Sequence, residues 1–464
     1  MGYNFLPCDR DQLYLMPPAL QDWLPESDLA WFLLDAVAQM DLSAIEETYR
    51  RDGCGQAAYD PTMMVALLLY AYCLGERSSR QIERLCERDI AFRVIAANQR
   101  PDHTTLARFR KIHETALAAL FTDVLRLCAE AGAVQVGVVA LDGTKMQADA
   151  GLAANRTAGA ISDAVHGMLL EAQGADEAEG RLYGPQRRGD ELPEALQNRQ
   201  SRRARVQACQ ARLKQDAEAA QAKQQVKHAT RQAEEAVTGQ KPRGRNPKAS
   251  QVVADAINAT AKANVTDPDS RIMKTPKGYV QGYNAQAVVT AEQVIVGAEL
   301  TQQANDLHQL HPMLLQAREN LQAIEHAETI GIALADAGYC SEANLTKDVP
   351  EGPELLVATT KDWKHRKAQR EQPAPRGRIP KCLTARERMD RVLLTKRGRR
   401  LYKTRGQTVE PVFGQIKVGR GCDRFMRRGE QACASEWKLL CTTHNLLKLW
   451  RSGKASWASQ HRGG

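Results

Sequence analysis

At 464 residues, the chain exceeds the ~250–300 residues at which one hydrophobic core stops growing, so two or three packed units are expected. Sixty-four Lys and Arg against 55 Asp and Glu leave a formal charge of +9, which makes a polyanion, nucleic acid first, the expected partner if the charge is clustered. Eleven cysteines with no CxxC pair argue against a disulfide framework or zinc cluster and fit a reducing cytosol. The opening segment lacks a secretory pattern, and the longest apolar run, Met63 to Leu74, falls short of the ~18–20 residues of a bilayer span.

Residues 1–132 carry helical periodicity, with Ser27 ahead of a stripe of Leu29, Phe32, Leu33 and Val37, and Asp60-Pro61 opening the apolar run; this segment is expected to be an all-α unit. Ser79 is a further candidate cap, and a short helix after Pro101 mixes cations with hydroxyls. Such short helices resemble a helix-turn-helix that would present Thr105, Arg108 and Lys111 to DNA, with Leu106 and Phe109 as core. A solvated helix face accounts for the same residues.

From Val134 a β-branched run of strand length leads to Asp142-Gly143-Thr144, a buried strand delivering an acid at its end. Residues 151–270 turn to Ala, Gln, Arg, Lys and Glu, with a polar helix expected over 193–237, and read as an insertion. Tyr279 to Val289 and Val294 to Leu300 form a predicted hairpin, and a helix is expected over 306–327 with Asn305-Asp306 at its start. A second apolar strand, Ile330 to Ala335, ends in Asp336. A short helix after Ser341, a strand at Glu354 to Ala358 and helices near 384–396, 405–418 and 429–452 complete the chain. Without the insertion the order is that of an RNase H-like core: an α+β fold with a mixed sheet and flanking helices. The expected units are a helical DNA-binding domain at 1–132, a core at 133–150 and 271–452, the insertion at 151–270 and a tail at 453–464.

Two acids at strand ends and a third on a later helix can converge at one sheet edge, where carboxylates suit Mg²⁺ or Mn²⁺. Glu410 is the candidate third acid; Pro411 fits a first helical turn, and Lys417, seven residues on, would share the face of Glu410 on a continuous helix. Asp149, Asp267, Asp269 and Glu342 lie in polar turns and are expected to be solvated, and His308 and His444 lack zinc-ligand spacing.

Tyr402-x2-Arg405-x4-Glu410-x6-Lys417 resembles the signature around the catalytic Glu of DDE-class insertion-sequence transposases, with the Arg-to-Glu interval one residue longer than the common one. Leu141-Asp142-Gly143-Thr144 and Ala335-Asp336-Ala337-Gly338-Tyr339 look like the two Asp motifs of that family. Tyr279 to Gln286 resembles its intervening hairpin, and Tyr59 to Lys111 its N-terminal helical domain. The resemblance implies an enzyme that binds terminal inverted repeats in double-stranded DNA, hydrolyses the DNA to expose a 3′-hydroxyl and joins it to target DNA. Asp142, Asp336 and Glu410 would hold two Mg²⁺ or Mn²⁺ ions, and Lys417, Arg405 and Tyr402 would position DNA. It also implies a homodimer on paired ends, in the cytoplasm with the nucleoid and away from membranes. An inactive end-binding regulator and an RNase H-like nuclease without strand transfer are the alternatives.

Residues 241–248 and 374–381 share Pro-Arg-Gly-Arg-x-Pro-Lys. An extended Arg-Gly-Arg can enter a narrow A·T-rich minor groove, although a solvated basic linker is the simpler account.

Overall fold

The computed structural model describes residues 20–49, 57–164, 166–167, 194–240, 249, 260–276, 278–362, 371, 373–380 and 382–459. The first of the paired basic motifs, at 241–248, lies outside them.

After a short 3-10 helix at Leu20–Trp23 come seven α-helices in the described chain: α1 (Leu29–Ala38), α2 (Ser43–Glu46), α3 (Pro61–Cys73), α4 (Ser79–Arg88), α5 (Ile90–Ile95), α6 (His103–Ile112) and α7 (Glu114–Glu130). Asp28, not Ser27, caps α1, accepting from Ala30 N at 2.8 Å. Asp60 accepts from Thr62 N and Met63 N ahead of Pro61, whose missing N–H costs nothing in a first turn. Every residue of α3 from Met63 to Cys73 is buried, so it is the central helix of this layer. Ser78 occupies the capping position of α4, and Ser79 is its first residue.

The rest of the chain is β1 (Val138–Gln147), β2 (Asn155–Thr157), α8 (Glu194–Thr238), β3 (Lys262–Asn264), β4 (Arg271–Thr275), β5 (Gly278–Thr290), β6 (Ile295–Thr301), α9 (Leu310–Ala323), β7 (Ile332–Ala335), α10 (Glu342–Thr346), β8 (Glu354–Val357), α11 (Ala385–Leu394), α12 (Lys396–Thr408), α13 (Glu410–Gly414) and α14 (Glu430–Ser452). The main sheet is mixed. Its strands follow the order β4-β5-β1-β7-β8, with β6 also on β5; β1, β7 and β8 are parallel and β5 is antiparallel to β1. The protein is therefore α+β, with helices before and around a mixed sheet.

Two details differ from the sequence reading. β1 begins at Val138 and continues beyond Asp142 to Gln147, because β5 is long enough to pair with it through Gln147 opposite Gly282; Asp142 is thus mid-strand. A Cβ at position 282 would lie 2.1 Å from the Met146 carbonyl oxygen, so the two backbones meet this closely only over glycine. Strand β4 and the small β2–β3 sheet were not foreseen, each being short and polar.

One continuous apolar core joins α1 to α7, the sheet and α14. The last helix packs on α7, α3 and β6, and the buried thiols of Cys73 and Cys128 meet its Thr443 and Asn445 carbonyls. The buried Arg77 guanidinium, 3.1 Å from Glu436 on α14, also donates to the backbone carbonyls of Gly421 and Arg424. Between β1 and β4, Val206, Cys209 and Leu213 of α8 form a separate small core with Ile161 and Ala263. Farther along, Val226 and Val237 are exposed.

Candidate active site

Strand register places the first two acids. Leu141 pairs with Ala335 across the parallel β1–β7 ladder, so Asp142 and Asp336 follow at the same level, where β7 has just ended. Each carboxylate is fixed locally: Asp142 Oδ1 accepts from Gly143 N at 2.9 Å, and Asp336 Oδ1 from Gly338 N at 2.7 Å. Glu410 begins α13 and is 64% exposed.

The expected single helix over 405–418 is broken. It ends as α12 at Thr408, restarts as α13, and passes into a π-turn at Gln415–Gly419. Pro411 supplies no N–H for the carbonyl of Gln407, and Gln293 at the tip of the β5–β6 hairpin donates to that carbonyl instead, at 3.1 Å. Glu410 and Lys417 therefore do not share one continuous helix face: Lys417 Nζ donates to Thr144 Oγ1 at 3.1 Å and to the Lys145 carbonyl at 2.8 Å, pinning β1. Tyr402 donates to the Ala335 carbonyl at 3.2 Å, just before Asp336.

Arg405 lies between two of the acids. Its Nη2 is 2.7 Å from Asp142 Oδ2 and its Nη1 is 3.4 Å from Glu410 Oε1, while its buried Nε has no hydrogen-bond partner. Burial opposes the charge of Arg405, but Asp142, Asp336 and Glu410 hold its pKa above the ordinary value. Burial pushes Asp142 up to about 6; Arg405 opposes that rise, while Asp336 and Asp306 add to it.

Asp306, expected at a helix start, lies instead beside the Asp142 strand. It does not cap a helix: α9 starts at Leu310 behind Gln309. Its Oδ1 instead accepts from Asn284 Nδ2 at 2.7 Å, Gln286 Nε2 at 2.8 Å and Lys145 Nζ at 3.4 Å. The carboxylate lies over Gly143, where an added Cβ would be 2.6 Å from Asp306 Oδ1. Buried Tyr339 donates to Gln286 Oε1. The available signal was polar Asn284 and Gln286 on the strand that pairs with the Asp142 strand.

The helix thought to face DNA presents exposed Arg108 and Lys111, whereas half-buried Thr105 uses its hydroxyl on the capping Asp102 at 2.6 Å. Leu106 and Phe109 are core. Of the acids expected to be solvated, Asp267 is fully buried and accepts from Tyr283 and Gly429 N. His444 is buried, with its Nε2 donating to the Gln293 carbonyl at 2.9 Å, and His308 is exposed ahead of α9.

Among the described residues, no group of three or more His, Cys, Asp or Glu side chains is placed to hold a metal ion. The donor chemistry nevertheless fits one. Asp142 and Asp336 supply hard oxygens, and the guanidinium of Arg405 already provides a cation between Asp142 and Glu410.

Residues 18–112 match a transposase domain family (DUF772), and residues 360–450 match a transposase DDE domain family. Both matches support an insertion-sequence DDE transposase. The first matched segment includes α1 to α6, and the second carries Tyr402, Arg405, Glu410 and Lys417. Asp142 and Asp336 lie between the two matched segments. No curated protein and no solved structure matches the chain. Transposases act on DNA, which supports a DNA partner for this chain, and among the described residues no helix is long and apolar enough to cross a membrane.

Proposed function

We propose that this transposase cuts the ends of an insertion sequence and transfers the freed 3′-hydroxyl to target DNA, using divalent ions held by Asp142, Asp336 and Glu410. The observation that carries the reading is the placement of Asp142 and Asp336 at one level of adjacent parallel strands, with Arg405 bridging from Asp142 to Glu410. The strand order, with β1, β7 and β8 parallel and β5 antiparallel, supports an RNase H-like core. Two bound Mg²⁺ or Mn²⁺ ions would activate the attacking oxygen and neutralise the leaving one.

The chain's own residues orient the reaction. Lys417 and Tyr402 hold β1 and the end of β7, and with them the two Asp carboxylates. Arg405 keeps Asp142 ionised in a buried place, and its guanidinium is available for a phosphate once cations take the carboxylates. Within the 1–132 unit, Arg108 and Lys111 contact the DNA backbone, with Thr105 fixing the start of their helix. Residues 133–150 and 271–452 form the catalytic unit, and 151–270 an insertion. A homodimer would supply one site for each element end, in the cytoplasm with the nucleoid.

The test compares purified protein with Glu410→Gln on end-bearing duplex plus Mg²⁺ or Mn²⁺. Cleavage to 3′-hydroxyl ends and joined products from the wild type alone is the expected result. Binding of ends by both proteins with cutting by neither would replace this reading with a DNA-binding regulator. Cutting without joining would make it a nuclease.

A further inference from the structure

Asp306 has an arrangement that anchoring a loop does not require. Its Oδ1 takes all three donors, Asn284, Gln286 and Lys145. Its Oδ2 borders the space beside Gly338 that Asp336 also borders: a Cβ placed on Gly338 would lie 3.3 Å from Asp306 Oδ2 and 2.8 Å from Asp336 Oδ1. Two carboxylate oxygens thus flank one point. A loop anchor needs only a neutral acceptor; two carboxylates bordering one space are stabilised by a cation placed there.

A second observation concerns the other side of the same carboxylate. Asn284 is fully buried, yet its Oδ1 has no hydrogen-bond partner. This oxygen sits beside Asp306 over Gly143, 2.9 Å from where a Cβ would stand. Gly143 leaves the room that Asp306 and Asn284 occupy, so β1 contributes an acid at position 142 and space for another carboxylate at the next residue.

We propose that Asp306 is a fourth carboxylate of the metal centre, sharing a divalent cation with Asp336. This rests on the reading of Asp142, Asp336 and Glu410 as metal-binding residues. Two carboxylates leave the remaining octahedral positions of Mg²⁺ or Mn²⁺ to water and phosphate oxygens. The loop between β6 and α9 therefore belongs to the site, and Lys145, Asn284 and Gln286 orient its carboxylate.

Mn²⁺ binding to the full chain, followed by electron paramagnetic resonance with and without end-bearing duplex, tests the assignment. Asp306→Asn keeps an oxygen for the three donors and removes the charge. It is expected to weaken Mn²⁺ binding by about tenfold or more while its melting temperature without metal stays within a few degrees of wild type. Unchanged Mn²⁺ affinity in Asp306→Asn, with loss in Asp336→Asn, would overturn the role of Asp306 and leave the triad standing. Wild-type affinity in Asp142→Asn and Asp336→Asn, or no binding by the wild type, would overturn the underlying reading as well.

Discussion

The Arg405 guanidinium stands 2.7 Å from Asp142 Oδ2 and 3.4 Å from Glu410 Oε1, bridging a strand acid to a helix acid from different parts of the chain. A divalent ion using those carboxylates competes with it. Arg405→Gln removes the competing charge, so Mn²⁺ affinity without DNA is expected to rise about tenfold, the equivalent of one pKa unit of interaction. DNA cleavage is expected to fall at least tenfold, because the phosphate contact goes too. Titration calorimetry with Mn²⁺ and a cleavage gel read the two effects. An unchanged Mn²⁺ affinity would show that Arg405 does not compete for the carboxylates.

Gly143→Ala tests how closely the site is fitted. The added methyl would meet Gln286 Nε2 at 2.2 Å, Asp306 Oδ1 at 2.6 Å and Asn284 Oδ1 at 2.9 Å. These are side-chain ends, so they can yield, at an overpacking cost of about 1–3 kcal/mol. The expected outcome is a folded protein, lower in melting temperature by a few degrees, that has lost Mn²⁺ binding and cleavage. Retention of both would show that the cradle around Asp306 is dispensable.

Much of this was legible because local chemistry and tertiary packing agree. Asp60-Pro61 announces α3, the apolar run before Asp336 gives β7, and the paired runs Tyr279 to Val289 and Val294 to Leu300 give the β5–β6 hairpin. Asp306 was not legible: beside Asn305 it looks like a helix cap, and only the sheet pairing of Lys145 with Asn284 and Gly143 with Gln286 turns it inward. The helix break at Val409 depends on Gln293, more than a hundred residues away, to satisfy the carbonyl that Pro411 leaves. The burial of Asp267 likewise depends on distant Tyr283 and Gly429.

Arg77 and Glu436 join the N-terminal helices to α14 through a buried pair at 3.1 Å. Burial raises the Glu436 pKa, and Arg77 with the N–H groups of Met426 and Arg427 opposes the rise. Arg77→Met leaves a buried carboxylate without its cation, and the expected loss is about 3–5 kcal/mol. Arg77→Met combined with Glu436→Leu removes both charges and is expected to recover a large part of it. Urea unfolding of the two variants measures the difference; equal stability of single and double variants would mean that the pair is uncoupled.

Exposed Arg108 and Lys111 on α6 are expected to contact phosphates. Replacing both with Ala should weaken end binding similarly on specific and unrelated duplexes, and flatten the slope of log affinity against log salt by about 2, near 0.9 per lost contact. Fluorescence anisotropy across a salt series measures both. An unchanged slope would assign the DNA contact to another surface.

His444 supplies a pH dependence unconnected with the carboxylate site. Burial pushes its pKa down to about 3, with Arg420, Lys448 and Arg451 adding to the fall and the Gln293 carbonyl opposing it. The folded protein thus holds the ring neutral, whereas the unfolded chain takes up a proton near pH 6.5. Its contribution is fully present above pH 6.5 and is lost as the pH falls from there towards 3, because protons then favour the unfolded state. Across that window the loss is on the order of 5 kcal/mol. His444→Gln should be less stable than wild type at pH 7.5, and the difference should shrink steadily between pH 6.5 and 4 in urea titrations. A gap that stayed constant over that range would show that the ring does not titrate on unfolding, and the acid sensitivity of the fold would then belong to the buried carboxylates.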